Sequence, residues 1–155
     1  VSEPTLLMTH ASGGELHQGG RLEATRAADG RLKCDFLVLA AKEIRFSGEG
    51  QLNGVVIPLT DGTPLSAQDW CSIYKHALET AKECADQVLN GKIVYVTCAQ
   101  GWNRSGLIAG MTLCLLGWDD KEAIDRIREV RSWGALSNRA FTSMVSGNRT
   151  GVGFV

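Results

Sequence analysis

The chain has 155 residues, 44% hydrophobic and 21% charged, which fits one ordinary globular domain. At this length folding removes roughly two-thirds or more of the chain's surface from water, so a core forms without metals or cross-links. Sixteen basic against 17 acidic side chains leave a net charge of −1 and no electrostatic argument for nucleic acid or a membrane surface.

The first 30 residues carry the weakest pattern: Leu6-Leu7-Met8 reads as a short strand, and glycines 13, 14, 19, 20 and 30 punctuate loops. Three continuous apolar runs follow, "DFLVLAA" at 35–41, "GVVIPL" at 54–59 and "KIVYVT" at 92–97. Each is expected to be a strand buried on both faces. Between the last two lies a helix, opened by Ser66 as N-cap with Asp69 three residues on and ended by Asn90-Gly91. Trp70, Ile73, Tyr74, Ala77, Leu78, Ala81, Ala85 and Val88 keep its helical spacing. Residues 54–97 therefore read as a βαβ unit, with a parallel strand pair and a right-handed crossover.

After Arg104 the run "SGLIAGMTLCLLG" is apolar nearly all round, as in a helix at the centre of a domain, and Gly117 stops it. Asp119 and Glu122 open another helix, and "LSNRAFTSMV" at 136–145 reads as a last short one, capped by Ser137 or Asn138. The expected architecture is a single α/β domain over residues 1–155, its central, mostly parallel sheet flanked by helices. Its core is expected over 35–145, with N-terminal strands and loops over 1–34 and a C-terminal tail over 146–155.

Cys34, Cys71, Cys84, Cys98 and Cys114 are odd in number and lack Cys-x2-Cys spacing, which speaks against a disulfide framework or a zinc site. His10, His17 and His76 have no metal-ligand spacing. A reducing, cytoplasmic setting is expected, with no metal and no cofactor. Neither a secretory signal nor an 18-residue apolar run occurs, so no membrane partner is expected. The chain begins with Val1 rather than Met, as if an N-terminal piece were processed or absent.

The chemistry lies in "VYVTCAQGWNRSGLIAG", residues 94–110. Cys98 follows a buried strand directly, and a buried helix begins near Arg104. Backbone N–H groups of such a strand-to-helix turn converge at a helix N-terminus and form an anion site. Gly101 lets the backbone curl, and Arg104 adds a planar fork of donors matched to two phosphate oxygens. The same positive surroundings favour a thiolate at Cys98, a nucleophile aimed at bound phosphorus.

Cys98-Ala99-Gln100-Gly101-Trp102-Asn103-Arg104-Ser105 resembles the Cys-x2-Gly-x2-Arg-Ser/Thr loop of the cysteine-dependent protein tyrosine phosphatases. The surroundings resemble their small dual-specificity branch. The likeness covers roughly residues 35–145, including "VVIPLTDG" and the ending "R-x-x-x-A-L-S-N-x-x-F". It implies the fold of that branch and a phosphoprotein substrate hydrolysed through a phosphocysteine. By the same likeness Cys98 is the nucleophile, while Arg104 and the amides of Ala99, Gln100, Gly101, Trp102 and Asn103 hold the phosphate. Asp61 is the general acid, with Asp69 a competitor already explained as a helix-capping residue, and Ser105 donates a hydrogen bond to the thiolate. Trp102 either shapes access to the site or packs on a neighbouring loop, and Asn103 and Asn138 either brace the loop or simply cap helices.

Thr97 departs from the pattern, which usually has His directly before the Cys; a hydroxyl replaces an imidazolium, and a less stabilised thiolate is expected. Two rival functions follow. "Gly-Trp-Asn-Arg-Ser-Gly" is similar to the Gly-Phe-Asn-Arg-Thr-Gly version of RNA triphosphatases, so an RNA 5′ end is the alternative substrate. The lack of basic excess and the presence of Asp61 weigh against it. A phosphate-binding module without catalysis is the other, opposed by the retention of both Cys98 and Arg104. No sequence feature sets the oligomeric state.

Overall fold

Five strands build one sheet: β1 (Thr5–Thr9), β2 (Glu15–Gly19), β3 (Phe36–Leu39), β4 (Gly54–Val56) and β5 (Ile93–Thr97), in the order β1-β2-β5-β3-β4. The computed structural model describes residues 5–41, 54–56, 64 and 66–147, and the architecture refers to these. β1 pairs antiparallel with β2, and every other pair is parallel. The five helices are α1 (Arg21–Ala28), α2 (Ala67–Leu89), α3 (Arg104–Leu115), α4 (Asp120–Val130) and α5 (Arg139–Ser146).

β5 is central. It lies between β2, with Gln18 opposite Val96, and β3, with Val38 opposite Val96. Apolar residues alternate to both of its faces, which explains the uninterrupted apolar run. Val94 and Val96 enter the main core, whereas Tyr95 joins Ala27 and Leu37 in a second, smaller cluster. α3 lies in the main core with Leu107, Ile108, Met111 and Leu113 fully buried, so its sequence needs no polar face.

The caps follow the sequence. Ser66 Oγ accepts from the Asp69 N–H at 3.1 Å, and Asp119 with Glu122 forms a capping box on α4. Asn138, rather than Ser137, caps α5, its Oδ1 accepting from Ala140 and Phe141 N–H at 3.0 and 3.3 Å.

Three expectations change. β4, from the second apolar run, is not buried on both faces: it is an edge strand of the sheet and Val56 is exposed. The strands of the 54–97 unit are parallel but not neighbours, because β3 is inserted between β4 and β5. The segment before residue 35 contains a helix, α1, besides the expected strands, β1 and β2, and the turns. Leu7, Leu16 and Ala24 from this segment belong to the main core. Residues 57–59 of the second apolar run and the tail from 148 lie outside the described residues.

Candidate active site

Cys98 sits at the carboxyl end of the central strand, where connections to the flanking strands diverge and open α/β sheets bind ligands. The turn to α3 is fastened to the β2–α1 junction. Cys98 N–H donates to the Gly19 carbonyl at 3.3 Å, and Arg21 N–H donates to the Ala99 carbonyl at 3.0 Å. Gly101 adopts φ +76°, and a Cβ there would lie 2.7 Å from the Gly19 carbonyl and 2.6 Å from Arg131 Nη2. Both conformation and space require glycine at that position.

The Cys98 sulfur is buried, with 2% of the residue exposed, and receives two polar contacts. The Gly101 N–H donates to Sγ at 3.3 Å, and Ser105 Oγ stands 3.3 Å from it. Ser105 is fully buried in the first turn of α3, directly after Arg104, itself 6% exposed. Gln18, reaching across from β2, places Nε2 at 3.0 Å from Ser105 Oγ and 2.9 Å from the Gly101 carbonyl. The Thr97 hydroxyl donates to the Val38 carbonyl at 2.7 Å and is committed to the β5–β3 pair.

Outside the loop, Arg131 holds two of its carbonyls. Nε donates to Gly101 O at 3.2 Å and Nη2 to Gln100 O at 3.0 Å. The Gly101 N–H, which lies between those two carbonyls in the chain, is the one that donates to Cys98 Sγ. Arg131 also lies 3.8 Å from the Glu23 carboxylate, which accepts from Gly20 N–H at 2.6 Å. Asn103 Oδ1 accepts from the Asn138 N–H at 2.9 Å, tying the loop to the cap of α5. Leu136, at φ +57°, donates its N–H to the Trp102 carbonyl at 3.1 Å, and its own carbonyl accepts from Arg128 and Thr142. Such a backbone, sparsely populated for a non-glycine residue, persists because its surroundings hold it.

The fold thus brings Cys98, Gly101 and Ser105 into contact, with Arg104 at the start of α3. Ala99 and Gln100 contribute carbonyls to the outer fastening, Asn103 braces, and Trp102 is 38% exposed with its ring over Gly134. Asp61 lies outside the described residues. Gln18 and Glu23 escape sequence reasoning, because polar side chains on strongly punctuated or charged segments do not stand out from solvated residues. Arg131 opens the ending "R-x-x-x-A-L-S-N-x-x-F", where the sequence marks the residue but not its role.

Burial pushes the Cys34, Cys84 and Cys114 thiols up to about 12. Cys71 is exposed on α2. No helix among the described residues is long and apolar enough to cross a membrane.

No family model matches the sequence, and no curated protein matches it. Solved structures do. The chain is similar to DUSP15, with 21% identity, 91% of this chain and 85% of that one covered, and a TM-score of 0.71. It is similar to human DUSP28, with 20% identity, 94% and 92% covered, and a TM-score of 0.69. A third likeness is to OH1 from the Orf virus, a tyrosine phosphatase described as having triple substrate specificity, with 22% identity, 92% and 83% covered, and a TM-score of 0.65. The fold is that of the dual-specificity and tyrosine phosphatases.

Proposed function

We propose that this chain is a cysteine-dependent phosphoprotein phosphatase acting on phosphotyrosine, and on phosphoserine and phosphothreonine, through a phosphocysteine intermediate. The observation that carries the reading is the Cys98 sulfur at the end of the central strand, 3.3 Å from both the Gly101 N–H and Ser105 Oγ, with Arg104 opening the next helix.

In the first step the Cys98 thiolate attacks phosphorus. The P–O bond to the leaving group breaks, and Asp61 gives its proton to the departing phenolate or alkoxide. In the second step the Asp61 carboxylate takes a proton from water as the water attacks phosphocysteine. The S–P bond breaks, its electron pair returns to sulfur, and inorganic phosphate leaves. Arg104 and the loop amides stabilise the equatorial oxygens in both steps, the dominant catalytic contribution in phosphoryl transfer. The Ser105 hydroxyl donates to the sulfur as negative charge returns to it.

The test compares phosphate release from p-nitrophenyl phosphate, phosphopeptides and triphosphate-ended RNA by wild type and Cys98→Ser. Phosphopeptide turnover lost in Cys98→Ser is the expected result. Absence of turnover on every substrate overturns the enzymatic reading, and turnover of RNA alone overturns the phosphoprotein reading in favour of an RNA 5′-phosphatase. An Asp61→Asn variant with an unchanged phosphopeptide rate removes Asp61 from the mechanism.

A further inference from the structure

Gln18 is fully buried on β2, on the strand face it shares with Leu16, where an aliphatic side chain would serve the core. Its amide Nε2 reaches both the Gly101 carbonyl at 2.9 Å and Ser105 Oγ at 3.0 Å. Its Oε1 is buried with no hydrogen-bond partner among the described residues. Burying an amide in the core carries a desolvation cost that an aliphatic side chain avoids, so the group is poorly explained by packing alone.

The chemistry of the three contacts determines where the protons lie. A backbone carbonyl only accepts, so Gly101 O faces the NH2 end of the amide and fixes its orientation. One amide hydrogen goes to that carbonyl, and the other is directed at Ser105 Oγ. Ser105 Oγ therefore accepts from Gln18; the neutral Cys98 thiol donates to the same oxygen at 3.3 Å, and the ionised sulfur, which only accepts, takes the Ser105 hydrogen instead. Thr97, the nearer residue in sequence, supplies nothing to this arrangement because its hydroxyl is held by Val38.

We infer that Gln18 is a positioning residue that turns the Ser105 hydroxyl proton onto the Cys98 sulfur, stabilising the thiolate in a loop without an imidazolium beside it. The inference rests on the reading of Cys98 as a nucleophile, but it concerns the reactivity of the thiol and not the identity of the substrate.

The experiment follows iodoacetamide alkylation of Cys98, read by mass spectrometry of its peptide across a range of pH. The proteins are wild type, Gln18→Met, Ser105→Ala and the double variant, with circular dichroism and thermal melting as folding controls. Among the described residues the charged groups around the loop are Arg104 of α3, Arg131 after α4 and Glu23 of α1. All the variants retain them, so their influence cancels in the comparison. Gln18→Met is expected to move the alkylation profile to higher pH and slow the neutral-pH reaction about tenfold, the loss of one hydrogen bond to a charged group. Ser105→Ala is expected to do the same, and the double variant no more than Ser105→Ala alone. A wild-type profile in folded Gln18→Met overturns the inference, as does a full additional loss in the double variant. If Gln18→Met does not fold, Gln18→Leu takes its place under the same criteria. Failure of the phosphatase reading appears separately, as absent turnover with an unchanged Gln18 dependence of alkylation.

Discussion

The Thr97 hydroxyl and the Val38 carbonyl form a 2.7 Å hydrogen bond across the β5–β3 pair, immediately before the loop that begins at Cys98. Thr97 thus belongs to the sheet and not to the support of the thiolate. Thr97→Val keeps the volume at this fully buried position and removes only the donor. The expected outcome is a stability loss of about 1 kcal/mol in urea unfolding, with the Cys98 alkylation rate changed less than about twofold. A large loss of Cys98 reactivity at unchanged stability would contradict it.

Arg131 lies on the other side of the loop. It binds the Gln100 and Gly101 carbonyls and neighbours the Glu23 carboxylate, only 2% exposed. Arg131→Ala removes both loop contacts and strands a buried carboxylate, so a destabilisation of about 3 kcal/mol is expected together with a fall in kcat. Adding Glu23→Gln should restore part of the stability and little of the rate, because the neutral amide tolerates burial while the carbonyls still lack their donor. Equilibrium unfolding and steady-state kinetics of the three proteins check this.

Gly101→Ala confronts both the left-handed backbone at φ +76° and a Cβ 2.7 Å from the Gly19 carbonyl carbon and oxygen. The backbone alone accounts for about 1–2 kcal/mol, and the contact with β2 requires the loop to move. Turnover should fall at least about a hundredfold, as when an oxyanion donor is lost. A variant with wild-type kcat shows that the loop amides do not have to adopt this conformation.

Alkaline pH probes the core. Burial raises the Cys84 thiol from 9.0 to about 12, against a lowering by its hydrogen bond to Thr112. The folded chain keeps this proton where the unfolded chain has lost it. Stability is therefore complete at neutral pH and declines as pH rises above 9.0 toward about 12, by about 1.4 kcal/mol per pH unit from this group. Cys34 and Cys114 act in the same direction. Thermal melting of wild type and Cys84→Ala at about pH 7 and about pH 10 should show a smaller decline in the variant. Parallel declines would exclude Cys84 as a source.

β3 and β5 are legible in the sequence because both of their faces are buried, giving the runs "FLVL" and "IVYVT". α3 is legible for the same reason in three dimensions, and α2 and α4 through their caps and apolar spacing. β2 reads "ELHQG" and hides its role, since its polar side chains find partners from distant segments. His17 stacks on Tyr95 at 4.4 Å, and Gln18 reaches a helix 87 residues away. α1 is short and polar, and what places it beside the loop is the junction with β2 rather than its own pattern.

Locally, the sequence by itself determined the candidate nucleophile, the glycine and the arginine of the loop, because one strand-to-helix turn places all of them within a few residues. Burial on both sides of that turn, also read from local pattern, specified where it lies in the domain. Only the tertiary structure decided what directs the protons around Cys98. β3 takes the Thr97 hydroxyl, β2 sends in Gln18, and Arg131 binds the Gln100 and Gly101 carbonyls. A hydrogen bond between segments far apart in the chain depends on one donor and one acceptor meeting in space. For Gln18 it leaves no periodicity, cap or spacing by which the residue can be recognised beforehand, whereas Arg131 is marked by the ending "R-x-x-x-A-L-S-N-x-x-F" without its partners being legible.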